Sequence, residues 1–135
     1  MSGRVMSALR GPAWMAMLGV IAYMILLASA ACGQAKREPG KTPVDFESGE
    51  AKFNANCARC HGSQGTGSAQ GPPLVHKIYE PNHHGDVAFQ RAAASGVRAH
   101  HWKFGDMPKI DGVTPDEVEQ ITRYIRWLQQ QAGIM

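Results

Sequence analysis

Cys57-Ala58-Arg59-Cys60-His61 is the stretch on which the reading of this chain turns. Two thiols three residues apart on a short helical stretch can reach both vinyl groups along one edge of a haem and bond them as thioethers. His61 follows at once, so its imidazole can ligate the iron from beneath. The covalent links also prevent haem loss from a domain too small to enclose it. A bare Cys-x-x-Cys has two other readings, a redox dithiol and half of a zinc site. The dithiol expects a βαβ setting, and no alternating strand pattern is present. The zinc site expects a second Cys pair, and the one further cysteine of the three, Cys32, stands alone. The histidine directly after the second cysteine favours haem, with its iron.

Toward the N-terminus, residues 13–31 are apolar and small, without a charge, and are preceded by Arg4 and Arg10 and by no acidic residue. A basic start, an apolar run and small residues at its end describe an export signal. The arginines keep that end in the cytoplasm. Three outcomes are open. Cleavage after Ala30 follows from Ala28-Ser29-Ala30. Lipid on Cys32 follows from Ser29-Ala30-Ala31-Cys32, which resembles a lipobox but has Ser29 at its usual aliphatic position. Retention gives a membrane anchor, because the run is close to bilayer-spanning length. Each exports the remainder, so the expected location is the periplasmic face of a bacterial inner membrane, tethered or soluble. Residues 33–45, with Pro39, Gly40, Pro43 and several charges, read as a flexible tether. The organisation is thus 1–32 signal or anchor, 33–45 linker, and 46–135 the haem domain.

The exported part has about 100 residues, the size of one small domain. Such a domain buries a modest core and often needs a staple or a cofactor. Without Arg4 and Arg10, the 14 basic residues fall to 12 against 11 acidic ones, a net charge of +1. That excludes a nucleic-acid partner, which wants a basic patch, and leaves only weak steering of other partners. One close cysteine pair is also no disulfide scaffold.

Residues 46–58 read as a short helix, with Phe46, Gly49, Phe53 and Cys57 at spacings of three and four. Residues 62–73 are a Gly-, Ser- and Gln-rich loop ending in Pro72-Pro73. Residues 86–95 read as a helix with Asp86 as N-cap, closed by Gly96. Residues 97–113 form a second loop. The last helix opens on a capping box of Thr114 and Glu117 with Pro115 in its first position. Val118, Ile121, Ile125 and Leu128 form its apolar stripe, with Tyr124 alongside, and Gly133 closes it. The expected fold is all-α, with long loops that something must fill.

A second axial ligand is sought among the seven methionines. Met1, Met6, Met15, Met17 and Met24 lie in the export segment and Met135 is the terminus, which leaves Met107. A thioether is soft, neutral and raises the haem potential. The alternatives are Met107 merely packed on the haem edge, or ligation by His100 or His101, which lowers the potential. His61 needs an acceptor for its other ring N–H. The Gly71-Pro72-Pro73 turn is placed to present a carbonyl, unless its prolines only stiffen the loop.

With these residues in view, the sequence resembles the class I c-type cytochromes from about Phe46 to Leu128. Gly49 and Phe53 look like that family's N-terminal helix signature, and Ile121 and Tyr124 like its C-terminal partner. Gly71-Pro72-Pro73-Leu74 looks like its proximal loop, and Gly105-Asp106-Met107-Pro108 like its Met loop. The resemblance implies a small helical wrap around the haem, with helices crossing closely at the glycine and packing the aromatic pair. It implies Cys57, Cys60, His61, Met107, Pro72 and Pro73 as cofactor-binding residues, with His61 and Met107 on the iron. The implied activity is one-electron transfer in an extracytoplasmic redox chain, with one haem edge exposed to redox partner proteins. Two axial ligands leave no open iron position, so the expectation is a carrier and not an enzyme. The alternative is the haem subunit of an oxidoreductase, or a redox- or gas-sensing module in which Met107 is labile.

Five further histidines depart from the ordinary pattern: His76, His83, His84, His100 and His101. They read as loop residues bonded to backbone or haem propionates, as a second metal site for copper or zinc, or as a pH-sensitive docking element. Tyr79 and Trp102 are candidates to wall the pocket or bond a propionate. Phe89 reads as core and Trp127 as half-buried packing. Lys77, Lys103 and Lys109 either ring the haem edge or are solvated surface.

Overall fold

A computed structural model describes residues 40–134. The proposed signal or anchor, Cys32 and the first part of the linker lie outside the described residues. The described residues form four α-helices: α1 (Val44–Asn56), α2 (Ala58–His61), α3 (Asp86–Ser95) and α4 (Pro115–Gln131). Two 3-10 turns, Ser63–Gly65 and Lys77–Tyr79, punctuate the loop before α3. Among the described residues there is no strand, only an antiparallel bridge between Val97 and Met107. The fold is all-α, as expected. No helix among the described residues is long and apolar enough to cross a membrane.

Helix α1 starts two residues earlier than its spacing suggested, with Asp45 and Glu47 in its first turn, where acidic groups suit the helix dipole. It stops at Asn56 because Cys57 leaves helical geometry, at φ −121° and ψ −35°. Helix α2 restarts from there, so the attachment motif sits on a turn of its own. Helix α4 opens on the expected box: Glu117 N–H donates to Thr114 Oγ1 at 3.3 Å, and Thr114 N–H donates to Glu117 Oε2 at 2.9 Å. These bonds also lower the Glu117 pKa. Helix α3 has the expected limits, but its N-cap is Gly85, and no side chain caps it. Asp86 occupies the first helical position, and its Oδ1 accepts from Arg126 Nε at 2.8 Å. A charged partner on α4 has drawn the carboxylate away from a capping role.

Helices α1 and α4 cross at Gly49. A Cβ there would collide with the Gln120 carbonyl and come within 2.9 Å of Tyr124 Cβ. The close crossing lets Phe53 and Tyr124 meet with ring centroids 5.8 Å apart. Both are fully buried, in a core with Leu74, Ile121 and Ile125. Burying a side chain the size of Phe53 contributes about 1.5–3 kcal/mol. Trp127 stacks on Phe46 at 5.6 Å and extends this aromatic row, half-buried as expected.

Arg126 is buried on the side of α4 facing the loops. It donates to Tyr79 O at 2.6 Å, to Gln129 Oε1 at 2.7 Å and to the His84 carbonyl. Its guanidinium lies 5.0 Å from the Phe89 ring centroid. Gln129 continues the network by donating to Leu74 O at 2.8 Å. Through these two side chains α4 holds a segment that has almost no regular structure of its own.

Candidate functional site

The loops, α2, α3 and α4 enclose a cavity of about 700 Å³, within the range of cofactor sites. Cys57, Cys60, His61, Pro72 and Met107 all line it. Pro73 does not. It packs behind the wall against Gly67, where a Cβ would come within 2.9 Å of its nitrogen. The other walls are mostly apolar, including Leu74, Ala88, Val97, Ile110 and Ile121.

His61 is buried, and its Nδ1 lies 2.8 Å from Pro72 O. A carbonyl only accepts, so Nδ1 carries the proton and the Nε2 lone pair is left free. Burial lowers the His61 pKa, and the bond to Pro72 partly opposes that shift. The neutral ring is the form that ligates a metal. The Gly71-Pro72 turn reaches this position by pressing against the attachment helix. A Cβ on Gly71 would lie 2.9 Å from Cys60 O. Ser68 Oγ donates to the same carbonyl at 2.6 Å, and Gly67 N–H donates to His61 O at 2.6 Å.

Cys57 and Cys60 are both free thiols. Burial, and then the proximity of Cys60, push the Cys57 pKa up to about 11. A redox-active dithiol needs the opposite shift. No metal-binding group of three or more ligands among the described residues includes either cysteine. Both findings count against the dithiol and zinc readings.

Met107 is fixed by its backbone. Val97 and Met107 exchange both N–H···O bonds at 2.9 Å. Asp106 Oδ1 accepts from Ala99 N–H at 2.8 Å. Gly96, at φ +74°, permits the approach, since a Cβ there would come within 2.5 Å of Met107 O. In the sequence Gly96 reads only as the close of α3, and nothing there ties Val97 to Met107. The Asp next to the loop Met was the one available signal.

Tyr79 and Trp102 line the same cavity. Burial raises the Tyr79 pKa, and the nearby Trp102 indole partly offsets the rise, although Trp102 Nε1 falls short of hydrogen-bond geometry and stays buried without a partner. A buried donor left unpaired costs about 1–3 kcal/mol. An acceptor within the cavity would relieve it, and a haem propionate is such a group. Thiols to bond, a neutral imidazole, a thioether, apolar walls and a waiting donor together fit a haem. Phe89 also lines the cavity, besides packing on the core. Lys109 pairs with Asp111 at 2.8 Å on the surface, and none of Lys77, Lys103 and Lys109 lines the cavity.

Four of the five extra histidines gather. His83 and His84 meet His100 and His101, with ring centroids between 4.3 and 5.9 Å apart in the contacting pairs. Desolvation, followed by the charges of His100, His84 and His83, lowers the His101 pKa. His76 stands outside the group. Its Nδ1 accepts from Ile78 N–H at 3.2 Å, and its ring meets Trp102 edge-on.

An all-α domain whose attachment motif opens into a cofactor-sized cavity is a haem-binding domain of the c type. The family described as Cytochrome c matches residues 46–129, more than half of the chain. The chain belongs to that family. Membership brings covalently bound haem c with its iron, and haem-based electron transfer as the activity. Neither the curated proteins nor the solved structures gave a significant match.

Proposed function

We propose that the protein is a monohaem electron carrier with His/Met ligation, working outside the cytoplasm as a link in a respiratory or redox chain. The observation that carries this reading is the single cavity in which Cys57, Cys60, His61 and Met107 meet. When bound, the haem supplies a one-electron Fe(II)/Fe(III) couple. Cys57 and Cys60 hold it as thioethers. His61 offers Nε2 to the iron, with its ring orientation held by Pro72 O. Met107 offers its sulfur from a loop tied to Val97 and Ala99. With His61 and Met107 both committed to the iron, no place would be left there for a substrate, which favours transfer over catalysis. The chain has one attachment motif, which supports one haem.

The working surface is then the exposed haem edge, where Phe104 lies 42% exposed on the cavity lining. Redox partners dock there through small, short-lived interfaces. Residues 1–32 support export and attachment to the periplasmic face of the inner membrane, as a retained anchor or through lipid on Cys32.

The optical spectrum of the oxidised holoprotein tests this reading, compared between wild type and Met107→Ala. Wild type is expected to show the weak far-red band of sulfur-ligated ferric haem, and the variant to lose it. A wild type without the band refutes methionine ligation. A bis-His spectrum would keep electron transfer at lower potential, whereas an open sixth position would replace the carrier with a catalytic or sensing role.

A further inference from the structure

Three of the gathered histidines, His84, His100 and His101, line the cavity that also holds the attachment motif and Met107. His83 is exposed beside them. A ring nitrogen from each of these three lies within 4.8 Å of the others. The closest pair is His83 Nε2 and His101 Nε2, 3.2 Å apart. Two imidazole nitrogens about 2.0–2.1 Å from a tetrahedral ion stand roughly 3.3–3.4 Å from each other. The two rings already stand close to that separation.

The remaining features are those of a prepared ligand set. His84 Nδ1 donates to Ile78 O at 2.7 Å, which leaves Nε2 as its free lone pair. A backbone carbonyl on the far nitrogen is the usual way a metal-binding histidine is oriented. The backbone around the first pair is tied down: His83 N–H and His84 N–H both donate to Glu80 O, at 3.0 and 2.8 Å. The His84 carbonyl accepts from Arg126. That guanidinium is paired with Asp86 at 2.8 Å. On the other loop, His100 Nδ1 donates to Arg98 O at 2.8 Å. Its ring centroid lies 4.3 Å from that of His101.

We propose that His83, His84 and His101 bind one divalent transition-metal ion of the zinc and copper class at the edge of the haem cavity, with water or His100 as fourth ligand. Imidazole suits both ions, and copper(II) is held more tightly than zinc by nitrogen ligands. No carboxylate belongs to the group, which disfavours magnesium and calcium. The site uses His101, so it rests on Met107 rather than His100 or His101 completing the haem ligation, which the far-red band of the wild type checks separately.

The test uses the full-length holoprotein. Zinc is added at neutral pH, free metal is removed on a desalting column, and bound zinc is measured by elemental analysis. Wild type is expected to retain one equivalent. The His83→Gln, His101→Gln double variant is expected to retain none, with the haem still attached. The His76→Gln variant is expected to retain one. Absence of stoichiometric zinc in wild type, or an undiminished equivalent in the double variant, overturns the proposal. Copper(II) EPR on wild type provides a readout that needs no variant to fold. Nitrogen hyperfine structure from several imidazoles is expected, and a copper signal without nitrogen coupling overturns the site.

Discussion

The α1–α4 pair and the loops it carries are held together by different means. Between the helices the contact is side chain on side chain: Phe53 against Tyr124, Ile121 and Ile125 beneath them, and Gly49 set against the Gln120 carbonyl. In the loops the contact is mostly through backbone. Met107 pairs with Val97, Pro72 O holds His61, and Tyr79 O and His84 O are held by Arg126. The first arrangement resists volume change because packed cores have little slack. The second arrangement places chemical groups accurately while burying little, so it tolerates sequence variety and depends on a few tethering points. In this chain the helices provide stability and the loops provide the ligands.

A pair of glycine variants tests that division most directly. Gly49→Ala drives a Cβ into a backbone carbonyl that cannot rotate away. We expect a stability loss of about 3 kcal/mol, at the upper end for overpacking. Denaturant unfolding of the holoprotein would measure it, and the surviving folded fraction should keep its far-red band. Gly96→Ala puts a side chain at φ +74°, 2.5 Å from Met107 O. Its strain is about 1–3 kcal/mol, and the telling effect is weakening or loss of the far-red band as the Met loop shifts. If Gly96→Ala left the band intact and Gly49→Ala removed it, the two regions would have exchanged roles.

The same contrast governs what could be read from the sequence. The capping box of α4, the limits of α3 and the Pro72 carbonyl were legible because each is local or has a strong residue signature, whereas the helix crossing at Gly49 was expected only through the family resemblance. The Val97–Met107 bridge was not legible, because it depends on how the end of α3 meets a loop without periodicity. Nor could the sequence say whether His83 and His84 meet His100 and His101, since spacing along a loop does not encode distance in space. Arg126 was missed for another reason. Arginine is rarely buried, and two of its four hydrogen-bond partners here are backbone carbonyls, which carry no residue identity. The Asp86 cap was overruled by that same arginine, and Pro73 faces away although its neighbour lines the cavity.

Arg126 joins the two regions, so removing it should loosen one and spare the other. Arg126→Leu keeps bulk on α4 but leaves the His84 carbonyl and Gln129 Oε1 without their donor. We expect a loss of about 1–3 kcal/mol. Amide hydrogen exchange should rise in residues 77–86 and stay low in α1. Arg126→Lys should recover little, because one ammonium cannot span the same fan of acceptors. Equal acceleration in α1 would show that loops and helices unfold as one body.

The smallest effect lies inside the helix pair and appears only at alkaline pH. Tyr124 OH donates to Glu50 Oε1 at 3.3 Å. Burial, with the Glu50 charge second, lifts its pKa from 10.0 to about 12. Between those values the folded protein keeps a proton that the unfolded chain has released. Folding then binds protons, and stability must fall as pH rises through that interval. Below pH 10.0 both states hold the proton and the contribution is complete. In Tyr124→Phe the proton is absent, so unfolding free energy should fall less steeply across this window. At neutral pH the variant should differ by only about 0.5–1.5 kcal/mol, the worth of one hydrogen bond. Parallel curves for the two proteins between pH 10 and 12 would mean that the phenol ionises without opening the helix pair, and that the α1–α4 contact is less rigid there than its packing implies.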